Sequence, residues 1–257
     1  MLSYLVNAVR QCGPVLLEAE EIGRNVAEKD GPRNFVTAYD VKVQAMLREQ
    51  LLSRWPDAHF VGEEGDCQDD ARHGLAFIVD PIDGTTNFIK GYRASAISVA
   101  AAQDGQTICG VVYDPYTDSL FTAERGRGAW LNDRPIQVSK RGLAEGLVCL
   151  GTALYYPEER DRTFALARAL FDASLDLRRS GSAALDLCYV ACGRAELMTE
   201  ARLCPWDYAA AGLIVTEAGG CISDLSGQPL PLDRKSSVLA GTPRAYCEFF
   251  QKGMDRL

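Results

Sequence analysis

The stretch Phe77-Ile78-Val79-Asp80-Pro81-Ile82-Asp83-Gly84-Thr85-Thr86-Asn87-Phe88 decides how this chain folds. Its apolar opening, continuous with Leu75 and Ala76, reads as a buried strand. Pro81 has no N–H to give a neighbouring strand, which predicts that the ladder stops after Asp80. A second Asp, a Gly and two Thr follow, so two carboxylates and several backbone N–H groups collect at one strand end. A plain turn is the simpler account, because Asp-Pro and Asp-Gly are common turn dipeptides and Thr85 or Thr86 can cap a helix. A turn needs only one of these residues, however. A hard cation such as Mg2+ needs several oxygens converging at about 2.0 to 2.1 Å, and a phosphate needs N–H groups without helical partners beside it.

Two further acidic patches are candidate partners for this strand end. Val61-Gly62-Glu63-Glu64-Gly65 sets paired carboxylates between glycines after the apolar pair Phe60-Val61, and taken alone it reads as a solvated loop. Pro205-Trp206-Asp207-Tyr208-Ala209-Ala210-Ala211 sets one Asp at the start of an apolar helix, and taken alone it reads as a helix N-cap. The co-occurrence of all three raises each above its bland reading.

Composition agrees with a carboxylate site. The 257 residues allow one large domain or two small halves, and 47% apolar with 24% charged residues excludes a disordered chain or a small disulfide scaffold. Lys and Arg number 27 against 35 Asp and Glu, a net charge of -8 that repels the phosphates of nucleic acid and anionic lipid, so neither partner is expected. Clustered carboxylates would supply charge that a bound cation neutralises. Nine scattered cysteines without a C-x-x-C pair predict reduced thiols in a cytoplasmic protein. No 18 apolar residues run together, and residues 2–9 lack the basic flank and cleavage site of a leader, so neither a membrane span nor an export signal is expected. His59 and His73 sit in turn-like surface sequence, which leaves the chemistry to carboxylates rather than to a His-based zinc or nucleophile system.

The rhythm of the chain predicts two parts. In the first, helical spacing from Leu2 to Ile22 and from Val41 to Leu52 precedes strands at residues 75–79 and 94–102 and a hairpin of 107–113 with 119–123. From about Gly146, strands (147–150, 195–199, 221–224, 237–240) alternate with helices (158–171, 182–192, 207–218, and one from Pro243), which is α/β behaviour. With no linker between the parts, two subdomains sharing one interface are expected, the boundary lying near residues 140–145.

Taken in order, Asn34-Phe35-Val36-Thr37-Ala38-Tyr39-Asp40, Gly62-Glu63-Glu64, the Asp80 to Phe88 block, Trp206-Asp207-Tyr208-Ala209-Ala210-Ala211 and Glu217-Ala218-Gly219-Gly220 resemble the inositol monophosphatase family over nearly the whole chain. The resemblance implies a layered αβαβα sugar-phosphatase sandwich, with an α+β subdomain at 1–142 and an α/β subdomain at 143–257. It also implies a Mg2+-dependent, lithium-sensitive, homodimeric phosphomonoesterase acting on inositol 1-phosphate or a similar small polyol phosphate. Carried over, Glu63, Asp80 and the Ile82 carbonyl would hold one Mg2+ and Asp80, Asp83 and Asp207 a second, with a weaker third ion leaning on Glu63. Two cations about 3.5 to 4 Å apart can activate water and neutralise phosphoryl oxygens. Asp40 and Thr85 would position and deprotonate the attacking water, a pairing that their 45-residue separation does not hint at and that comes from the resemblance alone. The backbone N–H groups of Gly84 and Thr85 would take the phosphate, and Asp83, the Ala183 backbone, Glu200 and Asp207 the substrate's hydroxyls. From the residues alone, Ala183 reads equally as a capped helix start and Glu200 as a solvated strand end.

This chain departs from the family pattern after Phe88, where Ile89-Lys90-Gly91-Tyr92-Arg93-Ala94 lacks the usual Pro. Gly151-Thr152-Ala153-Leu154-Tyr155-Tyr156-Pro157, near the expected substrate mouth, is variable in the family, so leaving-group preference does not carry over. Asp-x-x-Asp-Gly-Thr has one residue too many for a haloacid-dehalogenase-type phosphatase, and no P-loop is present. Histidinol phosphate and fructose 1,6-bisphosphate remain alternative substrates; Thr86-Asn87 disfavours a nucleotide 3'-phosphate. The non-enzyme alternative is a silent protein that binds a phosphorylated ligand or a metal.

Overall fold

The computed structural model describes residues 1–20, 26–28, 35–65 and 69–257; Ile22, Asn34 and Cys67, which the sequence reading used, lie outside them. Helix α1 (Leu2–Leu17) leads through a two-stranded ribbon, β1 (Val26–Glu28) with β2 (Phe35–Thr37), into α2 (Ala38–Arg54). A seven-stranded sheet follows in chain order: β3 (His59–Gly62), β4 (Leu75–Asp83), β5 (Ala96–Gln103), β6 (Gln106–Asp114), β7 (Ser119–Glu124), β8 (Gly128–Leu131) and β9 (Arg134–Pro135). Short α3 (Thr85–Ile89) interrupts it after β4. Only β3 and β4 run parallel.

The second sheet has five strands, ordered β11 (Asp176–Arg178), β10 (Leu147–Leu150), β12 (Leu197–Leu203), β14 (Ser236–Gly241) and β13 (Cys221–Ser223). Its helices are α4 (Arg160–Ala173), α5 (Ala183–Ala191), α6 (Pro205–Glu217) and α7 (Pro243–Gln251). The chain passes from one sheet to the other between Pro135 and Leu147.

Strand alternation fixes the layers. In β4, Phe77 and Val79 pack with α1 and α2 on one face, while Ala76 and Ile78 on the other join α5, α6 and the inner side of the second sheet. Val148, Leu197 and Leu239 face outward from the second sheet onto α4 and α7. The result is an αβαβα sandwich. Helix α6 is buried from Tyr208 to Val215, the signature of a helix covered on all sides, and it lies close to the first sheet because its neighbours are small. A Cβ at Gly110 would come within 2.5 Å of the Ala210 carbonyl. Fully buried Phe77 and Phe121 contribute about 1.5 to 3 kcal/mol each to this core.

Three local expectations need correction. Strand β4 does not stop at Asp80; it continues to Asp83, and its register against β5 slips between Asp80 and Asp83, so the missing Pro81 N–H falls in an irregularity where no ladder bond is lost. His59 opens strand β3 and lies 2.8 Å from Asp69, whereas His73 stays at an exposed turn beside Asp70. The Glu63-Glu64 pair is no solvated loop, since Glu64 is 6% exposed. Among the described residues, no helix is long and apolar enough to cross a membrane, and eight cysteines carry no disulfide.

Candidate active site

The parallel pairing of β3 with β4 builds the first part of the site. Gly62 lies opposite Val79, and the Glu63 amide donates to the Val79 carbonyl at 3.2 Å, which brings Glu63 beside Asp80. Gln44, one turn after Asp40 on α2, clamps the next residue: the Glu64 N–H reaches Gln44 Oε1 at 2.9 Å, and Gln44 Nε2 donates to the Glu64 carbonyl at 2.7 Å. Gly62 makes room for that clamp, since a Cβ there would meet Gln44 Oε1 at 2.5 Å.

Asp207 arrives from the other half. Ser98 pairs with Asp80 across β4 and β5, and its hydroxyl donates to the Trp206 carbonyl at 3.3 Å, setting the start of α6 against the acidic strand end. Asp207 is the third residue of that helix rather than its N-cap: its Oδ2 accepts from the Cys204 N–H at 2.7 Å. The helix-start role is thus filled by one carboxylate oxygen, and a carboxylate has a second oxygen to offer.

Asp40 repeats the device at α2. Its Oδ2 accepts from the Thr37 N–H at 2.8 Å and from the Thr37 hydroxyl at 2.5 Å, closing a capping box that contributes about 1 kcal/mol. The other oxygen faces Thr85, whose hydroxyl lies 3.4 Å from Asp40 Oδ1 and 3.1 Å from the Ile82 carbonyl. Two residues 45 positions apart thus meet inside the protein.

Asp80, Asp83 and Asp207 each place one oxygen in a group spanning no more than 4.8 Å, a donor set suited to a hard cation. Burial pushes the Asp80 carboxyl well above its ordinary range, and the neighbouring charges of Glu63, Asp83 and Asp207 push it further. The same causes, burial followed by Asp83 and Glu63, raise Asp207. Burial takes Asp83 to about 7, even though the Ser182 hydroxyl and the Ala184 and Ala183 amides at the start of α5 donate to its carboxylate. Such a cluster is costly when fully ionised without a counter-charge, and a divalent cation would supply it.

Gly84 turns the chain at φ +88°, where a side chain would be strained. A Cβ there would also lie 3.0 Å from the Ala94 carbonyl and 3.1 Å from that of Gly181, so the motif glycine sits where both halves touch. Asn87 seals this contact, its Nδ2 donating to the Ala94 carbonyl at 2.7 Å and to that of Ser180 at 2.8 Å. Gly84 and Thr85 line the same pocket as the acidic cluster.

Across the pocket stand Ala183, Glu200, members of the 151–157 segment expected near the substrate mouth, and two residues that sequence reasoning missed, Arg179 and Asp186. Ser182 caps α5, and the Ala183 N–H is directed at Asp83 Oδ1, 3.3 Å away. Glu200 lies within β12 rather than at a solvated strand end; its Oε1 accepts from the Ala153 N–H at 2.9 Å, and burial lifts it to about 7. Gly151 accommodates that carboxylate, for a Cβ would meet it at 2.1 Å. Asp186, Arg179, Leu154 and Tyr155 complete the wall. Asp186 is 3% exposed and lifted to about 6 by burial; its place one turn into α5, facing inward, was the only sequence cue to it. Lys90 and Arg93 are absent from the pocket lining.

The chain is similar to known proteins over nearly its whole length. The model of the inositol monophosphatase family matches residues 1–253. The chain is 38% identical over 240 residues to an inositol-1-monophosphatase of Rhizobium meliloti, covering 93% of this chain and 90% of that protein. It is 37% identical over 234 residues to the Nus factor SuhB of Xylella fastidiosa, covering 90% and 84%. The crystal structure of the extragenic suppressor protein suhB from Bartonella henselae superposes with a TM-score of 0.86 at 34% identity, covering 99% of this chain and 96% of that one.

Proposed function

The chain belongs to the inositol monophosphatase family, and from that premise we propose that it is a Mg2+-dependent phosphomonoesterase that hydrolyses inositol 1-phosphate or a similar small polyol phosphate by direct attack of water. The observation that carries this reading is the gathering of Asp80, Asp83 and Asp207 within 4.8 Å, with the Asp40–Thr85 pair at the same strand end.

Glu63, Asp80, Asp83, Asp207 and the Ile82 carbonyl would hold Mg2+, which when bound supplies charge neutralisation for the phosphoryl oxygens and acidifies water. Asp40 accepts a proton through Thr85: with Oδ2 committed to Thr37, Oδ1 and the Thr85 hydroxyl form a relay whose direction the capping box fixes. The amides of Gly84 and Thr85 face the phosphate, and the absence of a side chain at Gly84 permits close approach. Asp83, the Ala183 amide and Glu200 meet hydroxyls of the leaving group, carboxylates being acceptors that suit a polyol.

Among the described residues, six carboxylates line the pocket (Glu63, Asp80, Asp83, Asp186, Glu200 and Asp207) against the single guanidinium of Arg179. This balance supports one phosphate on a neutral polyol over a bisphosphate such as fructose 1,6-bisphosphate. Histidinol phosphate, whose ammonium group Glu200 and Asp186 would tolerate, is the second substrate to assay.

The test is phosphate release from inositol 1-phosphate with and without Mg2+, in the parent protein and in Asp80→Asn. Asparagine keeps an oxygen for the Ile82 N–H, which now reaches Asp80 Oδ1 at 3.0 Å, and removes a repelling charge, so the fold is retained. The expected outcome is metal-dependent release that falls about a thousandfold or more in the variant. Undiminished release in Asp80→Asn, or none from any phosphomonoester in the parent, would favour the silent binding protein or another chemistry.

A further inference from the structure

On the phosphomonoesterase reading above, we propose that Leu154 and Tyr155 are specificity-determining residues, packing against the leaving group of the ester and favouring leaving groups built on a ring over linear ones. They are adjacent large side chains at the pocket wall, 39% and 46% exposed, in a molecule that buries most of its bulky apolar groups.

Their placement is built rather than incidental. The segment leaving β10 is fixed on both sides of them. Before them, the Gly151 N–H donates to the Thr199 carbonyl at 2.8 Å, and the Ala153 N–H to Glu200 Oε1 at 2.9 Å. After them, the Tyr156 ring lies 4.6 Å from the Arg202 guanidinium and 5.2 Å from the Lys235 ammonium. The Tyr156 N–H closes a turn onto the Ala153 carbonyl at 2.9 Å, and Ala153 holds a φ of +43°, a conformation that a residue with a side chain keeps only when its surroundings impose it. Side chains held this way lose little freedom when a ligand arrives.

Tyr155 lines the pocket together with Glu63, Thr86, Glu200 and Asp207, and at 46% exposed it keeps an open flank of its surface available to a ligand. A leaving group attached to a phosphate at Gly84 and Thr85 would share this pocket with that flank and with the carboxylates of Glu200 and Asp186, which line it too. One wall is thus apolar and flat and the other accepts hydrogen bonds. A cyclitol or a furanose has both a C–H face and a hydroxylated edge to match them, whereas a short linear polyol has no face to offer the ring.

The test measures kcat/KM with Mg2+ for inositol 1-phosphate, adenosine 2'-phosphate and glycerol 2-phosphate in the parent, Tyr155→Phe and Tyr155→Ala. The ratio of ring to linear ester is expected to fall about tenfold in Tyr155→Ala, chiefly through KM, and to stay within about twofold in Tyr155→Phe. A fall for either ring ester supports the proposal and tells cyclitol from furanose. A merely structural role lowers all three esters together and leaves the ratio unmoved. An unmoved ratio in Tyr155→Ala, or an equal fall in Tyr155→Phe, overturns the ring contact while leaving the phosphatase reading intact; a parent inert to all three esters overturns both.

Discussion

The two walls of the pocket are built in opposite ways. The first, from β4 to α3, concentrates its chemistry in one stretch: Asp80, Ile82, Asp83, Gly84 and Thr85 follow one another, and β-pairing draws in Glu63 from the neighbouring strand. The second is assembled from the turn after β10, the start of α5 and the middle of β12, which meet only in the folded chain. A wall made of consecutive residues fixes the geometry around the phosphate, while a wall made of separate pieces can change one piece without disturbing the rest. On the proposed function, this difference would give turnover to the first and selection of the leaving group to the second.

Thr85→Ala puts the largest strain on that division. It removes the hydroxyl facing Asp40 Oδ1 but neither the capping box nor any carboxylate of the cluster. Steady-state kinetics should show kcat reduced about a hundredfold with KM nearly unchanged. A variant that lost KM alone would move Thr85 from turnover to binding and erase the distinction between the walls.

The pH dependence of stability sharpens the other side with a smaller effect. Burial raises Glu200 from an ordinary 4.5 to about 7 and Asp186 from 3.8 to about 6 in the folded protein. Within these windows the folded state binds more protons than the unfolded one, so these groups stabilise the protein fully below about pH 4, and their contribution is lost as the pH rises toward 7. Thermal melts of metal-free protein should therefore show the second wall's contribution declining over this range, with a shallower slope in Glu200→Gln. An identical slope in the variant would mean that Glu200 is ionised and solvated in the folded state.

Legibility in the sequence followed the same division. The acidic strand end, the alternating sheet faces and the apolar helix behind Asp207 could be read because each depends on residues near in sequence. The continuation of β4 past Pro81 could not, because it depends on where the partner strand's register slips. Glu63-Glu64 looked like a solvated loop because Gln44, which clamps it, lies 20 residues away from Glu64. The Asp40–Thr85 contact came from family resemblance alone, and the structure supplies its physical basis in the capping box that turns Asp40 inward. Asn87, part of the Thr86-Asn87 pair that disfavours a nucleotide 3'-phosphate on sequence grounds, also holds the two halves together, which its sequence did not suggest. Asp186 gave no signal beyond its position on α5, and Leu154 and Tyr155 lie in the 151–157 segment, for which the resemblance implied a place near the substrate mouth but no residue roles.

Binding of a divalent cation by the acidic group at the end of β4 and the start of α6 is the claim on which the rest depends, and anomalous diffraction from crystals soaked in Mn2+ as a stand-in for Mg2+ tests it most directly. The predicted result is a peak within about 2.6 Å of one carboxylate oxygen each of Asp80, Asp83 and Asp207. A map without a peak there at saturating Mn2+, with the three carboxylates protonated and hydrogen-bonded to one another, would contradict it.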